Sequence, residues 1–203
     1  EHTDMSMALN ACIEHGFQGF RIVIQPQVET KNGRMFGGEV LLRWKNEGKE
    51  ISPSKFVPIL EQTGMIAPVG KWILEETMRK GKEILKYQPD FRLSVNVSYL
   101  QIMDQKFFPF LEDTMERFQI PAENLLIELT ETHFDEMPEH LQRFIRQCKQ
   151  IGIRFALDDF GSAYSGLQLL LQYPADLIKL DRTLMREITT SKEKMRFIMS
   201  VVY

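Results

Sequence analysis

Apolar and polar positions alternate along this chain in two rhythms. Residues 5 to about 15 place Met, Leu and Ile at helical spacing and stop before Gly16. FRIVIQPQV (20–28) is rich in branched residues and reads as a strand. Asn32-Gly33 follows, the dipeptide of a two-residue hairpin, and FGGEVLLRW (36–44) is the expected second arm, antiparallel to the first. Ser52-Pro53 then offers an N-cap and a first-turn proline for a helix ending near Gly64. A longer helix is expected from Pro68 to about Leu85.

From there the chain repeats strand, then helix. The expected strands are FRLSVNV (91–97), NLLIELT (124–130), IRFALDD (153–159) and ADLIKLD (175–181). Amphipathic helices are expected at roughly 104–118, 136–150 and 163–172, with another from about Lys192 onward. Gly152 stands where a left-handed helix cap is expected. Asn96, Glu128 and Asp158 lie 32 and 30 residues apart, the length of one strand-helix unit. Near-continuous apolar strands alternating with helices predict an α/β fold with a parallel sheet, either a barrel or a doubly wound sheet. No glycine-rich phosphate loop opens the first strand-helix turn, which weighs against the second.

Composition changes this picture little. Apolar residues make up 43% of the 203 residues and charged residues 26%, the balance of a globular domain. The net charge of -3 and the lack of a basic run exclude a nucleic-acid polymer as the expected partner. No apolar run approaches the roughly 20 residues of a membrane span. Cys12 and Cys148, far apart in helical stretches, are expected to be buried thiols in a reducing compartment. The four histidines form no ligand pair.

The ends of the strands carry the chemistry. Glu39, with Arg43 on the same face by period two, belongs to the second strand; Asn96 to the third; Glu128 and Glu131 to the fourth; Asp158 and Asp159 to the fifth; Lys179 and Asp181 to the sixth. Each alone has a structural explanation, as a helix cap or a solvated strand end. Together they bring oxygen donors from four consecutive strands, and so many carboxylates need a counter-charge. Hard divalent cations such as Mg²⁺ or Mn²⁺ supply it, and a pair of them suits phosphodiester cleavage. Lys179 adds a cation for the attacking water or the phosphate.

The ordered series GGEVLLRW, SVNVS, LLIELTE, FALDDFG and LIKLD resembles the signature of EAL domains, cyclic di-GMP phosphodiesterases of bacterial signalling. IQPQV and ISPSKFVPILEQTGMI are similar to the family's first strand and first long helix. The resemblance implies a TIM-like (β/α)8 barrel of the EAL type with an antiparallel first strand, lacking here the last two strand-helix units. It implies a linker helix over 1–16 and an EAL domain over 17–203. Glu39, Asn96, Glu128 and Asp158 would ligate a first metal; Asp158 and Asp159 would hold a second. Lys179 would orient or activate the attacking water, with Glu39 and Asp158 also catalytic through the metals. Glu131 would brace a loop, and Gln25, Leu41 and Arg43 would hold the ligand's base and phosphate.

The implied activity is metal-dependent hydrolysis of cyclic di-GMP to linear pGpG, the alternative being a receptor that binds it without hydrolysis. Also implied are a cytoplasmic setting (the protein itself membrane-anchored or not), a homodimer, and neighbouring signalling domains such as GGDEF or sensory modules. The chain departs from the family pattern at Val40, inside Glu39-Val40-Leu41, and at Ser162-Ala163, in the loop after Asp159. A further metal-site Glu and a ligand-side Gln of the family would lie beyond Tyr203.

Overall fold

The computed structural model describes residues 2–130, 139–160, 175–186 and 190–202. They fall into two compact units: Glu1–Ile127 with Pro138–Arg154, and Glu128–Met137 with Phe155–Tyr203.

In the first unit, helix α1 (His2–Glu14) leads into strands β1 (Phe20–Val28) and β2 (Met35–Asn46). These pair antiparallel, from Phe20 opposite Trp44 to Val28 opposite Met35. The expected two-residue hairpin is corrected here. The connection runs over residues 29–34, closed by Glu29 N–H to Arg34 O at 2.8 Å and Gly33 N–H to Glu29 O at 2.8 Å. Gly33 has φ +70°, but Asn32 does not share the positive φ that a tight type I′ turn demands at both positions. Asn32 spends its side chain on the loop instead, accepting from Arg34 N–H at 2.8 Å and donating to Glu29 at 2.8 Å.

β2 carries on past its partners. Its first part runs parallel to β4 (Arg92–Asn96), with Gly37 opposite Arg92 and Glu39 opposite Ser94. Its last residues pair with a short strand, β3 (Lys49–Ile51), which the sequence pattern did not reveal. The Gly37-Gly38 pair makes this packing possible. A Cβ at Gly37 would lie 2.6 Å from Arg92 O, and one at Gly38 2.4 Å from Ile24 Cγ2. Only residues without a side chain let β2 sit this close to both neighbours. The strand order in this unit is β1-β2-β4-β5, where β5 (Leu125–Thr130) straddles the boundary between the units.

Helices α2 (Pro53–Gln62) and α3 (Ile66–Leu85) pack on this sheet, α2 against β2 and α3 against β1 and β4. Ser52 stands at the N-cap of α2 with Pro53 next, as expected, but its hydroxyl pairs with Ser54 Oγ at 2.8 Å instead of capping the helix. Pro68 falls inside the first turn of α3, where its missing N–H costs nothing. Leu9, Phe20, Trp44, Phe56, Leu60 and Val69 form the core, with Trp44 edge-on to Phe56 at 5.5 Å. Leu9 and Cys12 tie α1 into it.

The helix expected at 104–118 is α5 (Phe107–Phe118), and a short helix not foreseen from the pattern, α4 (Tyr99–Met103), precedes it. Asp104 separates them, extended at ψ 111° and accepting from Lys106 N–H at 2.9 Å. A 3₁₀ turn (Ala122–Asn124) precedes β5, and buried Asn124 donates to Pro89 O at 2.7 Å and Phe91 O at 2.9 Å. Helix α6 (Glu139–Ile151) buries Leu141, Phe144, Ile145 and Cys148, one face at helical spacing. It ends as expected at Gly152, φ +97°, with Ile153 N–H bonded to Cys148 O at 3.0 Å. Both cysteines are free and buried, and burial raises both thiols above their ordinary range.

In the second unit the order is β5-β6-β7, with β6 (Arg154–Phe160) parallel to β7 (Leu177–Leu180). Leu157 and Phe160 pack against Ala175, Ile178 and Leu180. Asp176 closes the pairing, accepting from Phe155 N–H at 2.9 Å. A short helix not foreseen from the pattern, α7 (Arg182–Arg186), precedes α8 (Lys192–Val202), which starts where expected. The helix expected at 163–172 lies outside the described residues. Among the described residues no helix is long and apolar enough to cross a membrane.

Candidate active site

Register brings the first unit's chemistry to one level of its sheet. Glu39 lies mid-strand in β2, opposite Ser94 of β4, and β4 ends two residues later at Asn96. Glu39 therefore sits where the parallel part of the sheet stops, although β2 itself runs on to Asn46. Asn96 donates its Nδ2–H to Glu39 Oε1 at 3.0 Å. That bond commits the nitrogen of the amide and leaves the oxygen to face elsewhere.

Gln25 stands directly opposite Glu39 in the β1–β2 ladder and is exposed. Leu41 and Arg43 follow Glu39 at two-residue steps, both half-buried, beside buried Val40 and Trp44. Arg43 donates to the backbone oxygen of Leu42 at 2.9 Å.

The second unit holds a charge cluster. Lys179 Nζ donates to Glu128 Oε2 at 2.6 Å and to Asp158 Oδ2 at 3.1 Å. The Glu128 side chain is 0% exposed, that of Asp158 16% and that of Lys179 21%. Burying a carboxylate that deep is costly without a compensating cation, and the Lys179 ammonium supplies one. One ammonium against two carboxylates still leaves a negative charge, and exposed Asp159 adds another.

Asp159 has φ +55°, unusual for a side-chain-bearing residue, and its N–H bonds the Asp158 carboxylate at 2.9 Å. The β6–β7 register shifts between Leu157 and Phe160, so the two aspartates sit on a bulge. A regular strand sends consecutive side chains to opposite faces; a bulge breaks that rule locally.

Asp181, also at a strand end, has a different occupation. It accepts from Thr183 N–H at 2.8 Å and from the Thr183 hydroxyl, which holds its carboxyl below the ordinary range. That is the cap of α7. Glu131 lies outside the described residues.

The donors in both units are oxygens, with no His or Cys among them. That chemistry fits a hard divalent cation such as Mg²⁺ or Mn²⁺ and does not fit a thiophilic one.

Comparison with known proteins places these residues in a family. The EAL domain family matches residues 8–203. Cyclic di-GMP phosphodiesterase PdeR of Escherichia coli is 31% identical over 179 residues, which is 88% of this chain and 27% of that protein. The bifunctional diguanylate cyclase/cyclic di-GMP phosphodiesterase MucR of Pseudomonas aeruginosa is 30% identical over 180 residues, 88% of this chain and 26% of that one. The chain thus spans about a quarter of the length of these curated relatives. Among solved structures, the PaMucR phosphodiesterase in complex with c-di-GMP superposes with a TM-score of 0.88 at 28% identity, over 98% of this chain and 81% of that one. The EAL enzyme Bd1971 in its cAMP-bound form gives 0.89 at 27% identity, over 99% and 56%. The chain shares their α/β, TIM-barrel-like fold. With signature, register and neighbours in agreement, this chain belongs to the EAL domain family.

Proposed function

We propose that the protein bearing this chain hydrolyses cyclic di-GMP to linear pGpG, using two divalent cations, Mg²⁺ or Mn²⁺. The observation that carries this reading is the Lys179 ammonium held between Glu128 and Asp158 at 2.6 and 3.1 Å. A lysine fixed this way by two carboxylates is a positioned cation, poised to hold a water or a phosphoryl oxygen.

The proposed roles follow the donor chemistry. Glu39, Asn96, Glu128 and Asp158 hold one metal; Asp158 and Asp159 hold the second. Bound metal ions would polarise the phosphoryl group and lower the pKa of a bound water, the standard contribution of paired cations to phosphodiester cleavage. Asn96 keeps its amide oxygen turned out by giving its N–H to Glu39. Lys179 orients the attacking water and stabilises charge on the phosphate. Arg43 meets a phosphate with its guanidinium, while Gln25 and Leu41 receive the guanine base. Glu131 braces the loop after β5. The unit of function is a homodimer in the cytoplasm, joined to other signalling domains of the parent chain.

Turnover decides the matter. The purified protein is incubated with cyclic di-GMP and Mg²⁺ or Mn²⁺, and the products are separated by chromatography. Appearance of pGpG supports the reading. Binding without turnover makes the protein a cyclic di-GMP receptor, and absence of binding overturns both.

A further inference from the structure

Asn96 poses a structural problem. A ligand to a metal must be held within a fraction of an ångström, yet Asn96 is exposed, so packing does not fix its side chain. It is the last residue of β4, so beyond its own bond to Glu39 the turn after the strand is what steadies it. Val97 is 7% exposed and anchored in the core. Ser98 is clamped from two sides. Its N–H donates to Gln101 Oε1 at 3.0 Å, and its hydroxyl donates to Glu61 Oε1, on α2, at 2.8 Å.

Gln101 is itself buried. It is 4% exposed and lies flat against α3, where a Cβ on Gly70 would come within 1.9 Å of its Nε2. Glu61 is half-buried near the C-terminal end of α2. The bond from Ser98 to Glu61 has an ionisable carboxylate as acceptor, the stronger class of hydrogen bond. Nothing in the linear sequence signals it, because the partners are 37 residues apart.

We infer that Glu61 is a positioning residue for the metal site: through Ser98 it fixes the turn after β4 and so the direction of Asn96. This rests on the reading of Asn96 as a metal ligand. Its consequence is that α2, which carries no ligand, sets metal affinity.

The test is Mn²⁺ binding by titration calorimetry on the purified protein, with Glu61→Ala, Glu61→Gln, Ser98→Ala and Asn96→Ala, each also melted without metal. Removing groups behind a ligand weakens metal binding by about 10- to 100-fold. Glu61→Ala and Ser98→Ala are expected to raise the Mn²⁺ Kd by about 10-fold. Glu61→Gln, which keeps an acceptor oxygen, is expected to restore most of it. Glu61→Ala added to Asn96→Ala is expected to cost nothing further. A Glu61→Ala protein with a lowered melting temperature but unchanged Kd would make the contact structural only and overturn the inference. Should Glu61→Ala fail to fold, Ser98→Ala and Glu61→Gln carry the same comparison. If Asn96→Ala itself leaves the Kd unchanged, the metal-site reading fails first.

Discussion

The Lys179 ammonium stands 2.6 Å from the carboxylate of Glu128, whose side chain is 0% exposed. The arrangement is asymmetric. Lys179 keeps some access to solvent, whereas the Glu128 side chain has none, so loss of the lysine removes a cation from a carboxylate that water does not reach. Breaking a buried pair from one side costs about 3–5 kcal/mol. Lys179→Met is therefore expected to lower stability by about 3 kcal/mol or more at neutral pH, read from urea denaturation without metal. The double variant Lys179→Met/Glu128→Gln is expected to recover much of that loss while staying inactive. Equal stability of Lys179→Met and the parent would mean that the contact does not hold Glu128 ionised.

Asp159 separates backbone from charge. Its φ of +55° is a conformation that Asn and Asp tolerate and branched residues do not. Asp159→Asn keeps the backbone preference and removes the negative charge. It is expected to change stability by less than about 0.5 kcal/mol, as exposed substitutions do, and to lose turnover by two orders of magnitude or more. Asp159→Val is expected to lose stability as well, by about 1–2 kcal/mol. Chemical denaturation paired with a turnover assay reads both, and full activity in Asp159→Asn would remove Asp159 from the site.

The Cys148 thiol gives the fold an alkaline limit. Burial holds its pKa far above the ordinary value of 9.0. The unfolded chain ionises first, so it binds fewer protons than the native state once pH passes that ordinary value. Stability is then complete below about pH 9 and falls above it, by at most about 1.4 kcal/mol per pH unit for one thiol. Cys148→Ala is expected to show a shallower decline between pH 9 and 10.5 in the urea midpoint, whatever its offset at neutral pH. Parallel slopes in parent and variant would show that Cys148 does not titrate on unfolding.

The parts legible in the sequence were those where local chemistry and global packing agree. Strands β1, β2 and β4 to β7 stand out because their apolar runs are long and bounded by turn residues. The Gly152 cap stands out because few other residues take that backbone. What escaped was decided by particular hydrogen bonds that residue type alone does not announce. β3 is three residues long and exists because β2 outruns β4. Helix α4 is five residues long and is set off from α5 by Asp104, whose side chain accepts from the backbone two residues on. The Asn32-Gly33 signal correctly marked a turn, but the choice between two loop lengths lay in Glu29 and Arg34 closing it. The site divides the same way. Oxygen donors at strand ends are visible as residue types, whereas Asp181 looks like the others until its bonds to Thr183 show it capping a helix.

Gly37 tests whether register governs chemistry. It belongs to the β2 segment that places Glu39 opposite Ser94, and the bond from Asn96 to Glu39 depends on that register. A methyl group at Gly37 would lie 2.6 Å from Arg92 O and 3.2 Å from Arg92 Cβ, and the first of these is backbone that cannot swing aside. Gly37→Ala must therefore push β2 away from β4. Overpacking of this kind costs about 1–3 kcal/mol, and the displacement reaches Glu39 two residues on. The variant is expected to stay folded, melt earlier, and bind Mn²⁺ more weakly than its stability loss alone explains. Gly48→Ala is the control: that residue also lies on the β2 side of the fold, has φ +80°, and would meet nothing within 4 Å. It should lose stability through backbone strain but leave the metal Kd unchanged. If both variants weaken metal binding in proportion to their melting temperatures, the metal site follows global stability and the β2–β4 register has no special hold on it.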